Sequence, residues 1–450
     1  MENKKSKADK NKKAKARVAR INRTKAIVQN ELEQELREES NINKTTEQKV
    51  HKNKKKITPI KTNIETSKAT QKITKLQSTS KIDMPLLIVV LILVALGIVM
   101  VLSASAPSAL SNYNDSYIFV KTQAKAAILG FTLMIILSKI NYKIYKKFYK
   151  IIYIFSIAIL FTVLIPKIGI ENNGARRWIS ILGFQIQPSE ITKIGLIIAY
   201  AGYYSDSKNK LNTLLGGCIK PLIGVAIPVL ILLVVQNHLS AGLVISFVMC
   251  MIIIMGGCPL KYIMGTVCAA VCAAVGALIF FRDKITSGFR SDRIDAWLHI
   301  WENTSGTAYQ TSQGLYAIGS GGLFGVGLGE SKQKYLYIPE PHNDFIFAVL
   351  AEELGFIGCA IVIILFAILI WRGITIAMKA PDMFGSLLAA GITSMIAIQV
   401  LVNIAVVTAS MPVTGMALPF FSYGGTALII TLTSIGILLS VSRAGNRSEI

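Results

Sequence analysis

Ten apolar runs, each long enough to approach or cross the roughly 30 Å of hydrocarbon in a bilayer, govern what this chain can fold into. They lie at about 84–105, 117–138, 148–165, 189–204, 216–235, 239–256, 261–281, 343–370, 384–410 and 424–441. Backbone placed in lipid must satisfy its own hydrogen bonds, which for single runs of this length leaves helices. The expected fold is an all-α polytopic membrane protein with ten transmembrane helices. Composition agrees: 52% of the 450 residues are apolar and 16% charged, which is not the pattern of a soluble domain.

Ahead of the first run, residues 1–83 hold 23 Lys/Arg against ten Asp/Glu. They contain too little apolar surface to offset the entropy of ordering them. This segment is expected to be a disordered basic tail, with residues 26–39 able to form a short amphipathic helix. No cleavable signal opens the chain, so 84–105 is an uncleaved first span. The tail lacks the aromatic residues that stack bases, which argues against nucleic acid; anionic membrane lipids suit its charge better. Cys218, Cys250, Cys258, Cys268, Cys272 and Cys359 lie in or at the ends of apolar runs. Their spacing fits neither a disulfide framework nor a zinc site, and they read as small packing residues.

Lysines set the orientation. Lys139, Lys143, Lys146, Lys147 and Lys150 crowd one loop, and Lys208, Lys210, Lys261, Arg372 and Lys379 fall in loops of the same parity. The positive-inside rule places these loops and both termini in the cytoplasm, with residues 444–450 a short C-terminal end after the 84–443 membrane domain. Segments 166–188, 282–342 and 411–425 then face outward. The second, a large external loop between helices 7 and 8, exceeds ordinary loop length and is expected to carry structure or function. A group-transfer site on that side has no cytoplasmic nucleotide to draw on, so its activated substrate must arrive attached to lipid.

Several polar residues interrupt the apolar pattern. Gln187-Pro188-Ser189-Glu190 leads into the fourth run, and Lys193, three residues after Glu190, shares its helix face. That pair serves either helix packing or a substrate cavity; His238, in Gln236-Asn237-His238, is open in the same way. Arg176, Arg177 and Trp178 stand in an outward loop, where guanidinium forks suit phosphate oxygens and an indole suits the interface or a sugar face. Residues 319–329 read GSGGLFGVGLG, which matches no phosphate-binding loop and is better explained by a flexible loop or close backbone packing. Asp344 can cap or complement the start of the eighth helix, and Glu352 and Glu353, deeper in it, are expected to face protein or water rather than lipid.

Taken together, NGARRWI at 173–179, QPSExxK at 187–193, AIGSGGLFGVGLG at 317–329, PExHxDFIFAVLAEELG at 339–355 and PFFSYGG at 419–425 resemble the shape, elongation, division and sporulation family. Its FtsW and SpoVE branches fit better than RodA. The resemblance implies a peptidoglycan glycosyltransferase that polymerises lipid II at the outer face of the cytoplasmic membrane, during division or spore-envelope synthesis. It also implies a class B penicillin-binding protein as partner and a divalent cation, magnesium or manganese, as cofactor, for which no ligand set stands out. The matching motif positions mark Arg176, Arg177, Trp178, Gln187, Ser189, Glu190, Lys193, His342, Asp344 and Ser422 as the substrate-binding set. The family's catalytic aspartate falls, six residues before Tyr309, on Asn303. A neutral amide cannot accept a proton near neutral pH. Either Glu302 substitutes as base, or Asp295 or Asp292 does so, or the chain is a non-catalytic scaffold that recruits the transpeptidase. Lipid II transport is a third function that buried charge in a helical bundle allows.

Overall fold

The computed structural model describes residues 82–448 apart from 167, 173–174, 182–183, 207–210, 212, 260, 263–264, 266–288, 303 and 336. The expectations for the basic tail, for most of the seventh run, for Cys268 and Cys272 and for Asn303 fall outside the described residues.

The described chain is mostly helical: α1 (Met84–Tyr113), α2 (Ile118–Lys139), the short α3 (Lys143–Lys147), α4 (Tyr149–Ala158, continued as a 3-10 helix over Ile159–Leu164), α5 (Pro188–Ser205), α6 (Lys220–Val234, preceded by a π-helical turn), α7 (Leu239–Met255), α8 (Phe289–Leu298), α9 (Tyr309–Ser320), α10 (Ile346–Met378), α11 (Met383–Val407) and α12 (Gly425–Ser448). Among the described residues six helices are long and apolar enough to cross a membrane: α1, α2, the unit Leu214–Val234, α10, α11 and the Gly425–Gly445 part of α12. Tyr149–Leu164 and α7 are shorter apolar helices. The chain is thus a multi-pass membrane protein, but the expected count of ten spans is not established. Large apolar side chains such as Ile128, Ile154, Val234 and Leu401 lie exposed along these helices, a surface that suits lipid rather than water.

Helix ends follow local chemistry. The Asp83 side chain accepts from Leu86 N at 3.0 Å to cap α1, and Asp382 caps α11 by accepting from Gly385 N at 2.7 Å. Asp83 is also held by Arg372 of α10, which ties the start of α1 to the last turns of a helix 289 residues away in sequence. Helices α2 and α12 approach closely where Gly130 meets Leu432 and Gly436 meets the Met134 backbone. Small residues permit such contact in bundles that lack a hydrophobic drive between helices.

One feature departs from the sequence expectation. Within 166–188, β1 (Gly169–Asn172), β2 (Ala175–Ile181) and β3 (Phe184–Ile186) form an antiparallel sheet in the order β1-β2-β3, so the fold is not all-α. The sequence Asn173-Gly174 is a two-residue hairpin signal. The 282–342 segment holds helices α8 and α9, in line with the expectation of structure there.

The glycine-rich stretch packs closely against a break in α10. Gly355 has φ 66° and ψ −168° inside that helix, which interrupts the helical ladder. The loop supplies the missing partners: Val326 N and Gly327 N donate to the Glu352 and Glu353 carbonyls, while Phe356 N and Ile357 N donate to the Gly322 and Leu323 carbonyls. A Cβ on Gly355 or on Gly325 would collide with the other strand's backbone. The carboxylates beside the break face protein, as expected. Glu352 accepts from Ser331 Oγ and from Lys332 N. Glu353 accepts from Ser103 Oγ and pairs with Lys334 Nζ at 2.7 Å, with both side chains almost completely buried. Lys334 Nζ also donates to Gly329 O at 2.6 Å and Ser103 Oγ at 3.1 Å, so all three of its protons are used.

Two stability outcomes follow. Gly355→Ala should cost about 2 kcal/mol or more from the positive φ and the collision, read as a lower thermal midpoint of the purified protein in detergent; an unchanged midpoint contradicts the account. Lys334→Met should cost roughly 3–5 kcal/mol by stranding a buried carboxylate. Adding Glu353→Met should recover part of that loss, whereas additive losses would show that the pair is not coupled.

Candidate functional site

The sheet, the start of α5, the turn between α6 and α7, helix α8, residues 338–344 and residues 413–431 enclose a cavity of about 1620 Å3. Its lining divides in character. Arg177, Glu190, Lys193, His238, Arg293, Lys334 and Asp344 border it among many polar groups, and Leu129, Ile191, Val244, Leu428 and Ile429 supply apolar wall. A polar head attached to an apolar chain matches that division.

Helix α5 starts cleanly because Pro188 occupies its first turn, where a missing N–H costs nothing. Its first turn presents Ser189 and Glu190. Lys193 Nζ lies 2.7 Å from Glu190 Oε1, with the lysine side chain 4% exposed, so the spacing read from sequence is realised as a buried ion pair bordering the cavity. Ser189 Oγ is 3.5 Å from His238 Nδ1. Burial first, then the charges of Arg177 and Lys193, hold the His238 imidazole down at about 3, so it is neutral at physiological pH.

Gln236-Asn237-His238 has a second task. Asn237 adopts φ 49°, and its carbonyl accepts from Arg177 Nη2 at 2.6 Å while the Gln236 carbonyl accepts from Arg177 Nε at 3.3 Å. Arg177 is thereby aimed from β2 into the cavity, beside Trp178. Arg176 is not brought there. It pairs across the sheet with Glu171 at 3.0 Å, half-exposed, because adjacent side chains on a strand leave by opposite faces. The second guanidinium of the cavity comes instead from Arg293 on α8, which donates to Val413 O at 3.0 Å. Trp297, one turn on, donates to Ala409 O at 2.7 Å and fixes the helix against the 408–415 segment.

Arg177 and Arg293 repel one another: burial first, and then Arg293, pushes the Arg177 guanidinium down, and burial does the same to Arg293. Both stay charged near neutral pH. Two desolvated cations facing one pocket favour an anionic guest. Asp344 partly offsets them. Its carboxyl is pushed up to about 6, chiefly by burial and by Glu340, against the opposing pull of Arg293 and Arg177. Gly415, with φ 69°, lets the backbone pass beside it; a Cβ there would stand 3.3 Å from Asp344 Oδ2.

The remaining expected residues divide. Gln187 and His342 border the cavity. His342 packs between Phe119 and Tyr423, with ring centroids 4.4 and 5.5 Å away, and burial holds it down at about 4. Ser422 also borders it, yet its hydroxyl accepts from Leu418 N at 2.7 Å and shapes the local turn. Glu302 is on an exposed turn with Oε2 3.4 Å from His299 Nδ1, and Asp295 flanks the same histidine at 3.9 Å. Neither carboxylate is among the residues that line the cavity. Asn303 and the Asp292 side chain fall outside what is described. The residue missed from sequence is Arg293. An arginine in a segment assigned to the outer side runs against the topology bias, a signal present at 293 as at 176 and 177.

Among the described residues no group of three His, Cys, Asp or Glu is placed to hold a metal. Of the cavity carboxylates, Glu190 is bonded to Lys193 and Asp344 is faced by two arginines. This donor set does not fit a divalent cation held by the protein.

Comparison with known proteins fits this architecture. The family model described as cell cycle protein, FtsW/RodA/SpoVE, matches residues 84–447. Stage V sporulation protein E of Bacillus subtilis is 40% identical over 361 residues, covering 80% of this chain and 97% of that one. "Probable peptidoglycan glycosyltransferase FtsW" of Trichlorobacter lovleyi is 41% identical over 360 residues, covering 80% and 93%. Among solved structures, a chain from a study of "Structural coordination of polymerization and crosslinking by a peptidoglycan synthase complex" superposes with a TM-score of 0.67 at 27% identity, covering 81% and 98%. The rod shape determining protein RodA of Thermus thermophilus superposes at 0.58 and 28% identity, covering 80% and 97%. A profile match over most of the membrane domain, joined to relatives near 40% identity, places this chain in the FtsW/RodA/SpoVE family.

Proposed function

We propose that this protein is a peptidoglycan glycosyltransferase that polymerises lipid II at the outer face of the cytoplasmic membrane. The observation that carries the reading is the cavity itself: two half-buried guanidiniums, Arg177 and Arg293, at a polar mouth that continues into apolar wall. A lipid-linked diphosphate sugar has that same division of charge. The lysine-rich loops put the sheet, α8 and the 411–425 segment on the outer side, where no nucleotide donor is present. The relative named as a probable peptidoglycan glycosyltransferase supports the reaction class.

In this reaction an acceptor sugar 4-hydroxyl attacks the anomeric carbon of a lipid-linked glycan, and lipid diphosphate departs. Arg177 and Arg293 are positioned to receive the departing charge, a task in which one well-placed donor is worth roughly 100- to 1000-fold in rate. The described residues offer no cage for the divalent cation implied by the resemblance, so the proposal assigns leaving-group charge to these arginines. A single-span class B penicillin-binding protein is the proposed partner, supported by the peptidoglycan synthase complex that this fold resembles. The proposed site of action is a division septum or forespore membrane, in keeping with a relative named for sporulation and a family model described as cell cycle protein.

A second reading rests on Asn303, the neutral residue at the family's aspartate position: a scaffold that keeps the fold and partner surface without polymerising.

Purified full-length protein with its transpeptidase partner and lipid II should yield glycan strands. Arg177→Ala and Arg293→Ala should each lower the rate about 100-fold or more, and Arg176→Ala by less than about threefold, since its side chain is spent on Glu171. Equal losses at 176 and 177 would contradict the assignment. No product, with an active relative working alongside, would favour the scaffold; Asn303→Asp should then create activity in the silent parent.

A further inference from the structure

The polymerase reading lacks a base, since position 303 is an amide and Glu302 stands outside the cavity. The described carboxylates can be sorted by what already holds them. Glu190 is bonded to Lys193, Glu353 to Lys334 and Ser103, and Glu352 to the 331–332 backbone and hydroxyl. Asp295 and Glu302 flank His299 on an exposed turn. Glu340 is exposed at the cavity rim and accepts from Asn343 Nδ2 at 2.7 Å. Asp344 differs from all of these. It borders the cavity, and its side chain accepts no hydrogen bond from a described residue. Its backbone is fixed independently, because its own carbonyl accepts from Asn403 Nδ2 at 2.8 Å and that same amide group holds Met416 O at 2.6 Å.

We infer that Asp344 is the general base of this protein, set in the same cavity as the two arginines that take the donor's diphosphate. This rests on the polymerase reading. An Asp344 carboxylate oxygen takes the proton of the acceptor 4-hydroxyl. The hydroxyl oxygen's electron pair forms the bond to the donor's anomeric carbon with inversion. The carbon–oxygen bond to the diphosphate breaks, and its electron pair leaves with the lipid diphosphate against Arg177 and Arg293. Asp344 then releases the proton to water.

The arrangement links donor binding to base strength. In the empty cavity the arginines stabilise the ionised carboxylate and so weaken it as a base. A bound diphosphate takes up their charge and adds negative charge nearby, which raises the carboxylate's affinity for a proton when the acceptor arrives. The other titratable groups around it are Glu340 on its own segment, Arg293 from α8, Arg177 from β2, Glu190 and Lys193 from α5, and the histidines 238 and 342. Both histidines are held well below neutral, so neither titrates between pH 5 and 8. A base must be ionised to act. With the empty-site carboxyl at about 6, the rate at low lipid II should be full well above that pH and fall as pH drops through it.

The test uses full-length protein, its transpeptidase partner and lipid II, with initial rates from pH 5 to 8. Asp344→Asn should lose 100-fold or more, within the range for a general base, while retaining lipid II binding. Asp344→Glu should retain more activity than the amide variant, with a displaced pH profile. Asp115→Asn, an exposed carboxylate paired with Lys121, should behave as the parent. An Asp344→Asn protein within threefold of the parent overturns the inference and leaves the polymerase reading intact, as does a comparable collapse in Glu340→Gln alone. Should the Asn variant fail to fold, the parent's own profile decides: a rate flat from pH 8 to 5 overturns the inference. A parent that stays silent where an active relative polymerises overturns both.

Discussion

Charge and backbone placed at membrane depth must find partners inside the protein, and the rest of this architecture answers to that constraint. Among the described residues the buried lysines have defined partner sets: Lys193 on Glu190, and Lys334 on Glu353, Ser103 and Gly329. The break in α10 obeys the same rule with backbone groups, because the glycine-rich loop supplies four hydrogen bonds where the helix cannot. Beyond these points, Arg177, Arg293 and Asp344 border the cavity.

That set is chemically selective. The strand alternation of β2 sends Arg176 outward to Glu171 and leaves Arg177 to the Gln236 and Asn237 carbonyls. Helix α8 returns the second guanidinium from a segment more than one hundred residues downstream in sequence. The two cations and Asp344 border one cavity. Under the inference drawn above, Asp344 supplies the carboxylate that an amide at 303 cannot.

Much of this was legible in the sequence, and the failures have physical causes. The i, i+3 spacing of Glu190 and Lys193 forced a shared helix face, and the pair exists. Carboxylates at 352 and 353 in an apolar helix demanded protein partners and have them. The GSGGLFGVGLG run failed every phosphate-loop pattern and proved to be close backbone packing. Cys218, Cys258 and Cys359 are buried, as small packing residues are. What sequence did not reveal is long-range: the short strands of 169–186 are too brief for a clear alternating pattern, and nothing local says which of two adjacent arginines will face the cavity. Glu302 stands one residue from the amide at 303, yet its turn directs it to His299, and neighbouring side chains do not share a direction.

The most direct measurement of the central claim is a structure of the full-length protein with lipid II bound. The account predicts the diphosphate within hydrogen-bond reach of both Arg177 and Arg293, with its lipid chain along the Leu129, Ile429 and Val244 walls. A diphosphate seated on Arg176 at the outer face of the sheet, or away from α8 altogether, would contradict it.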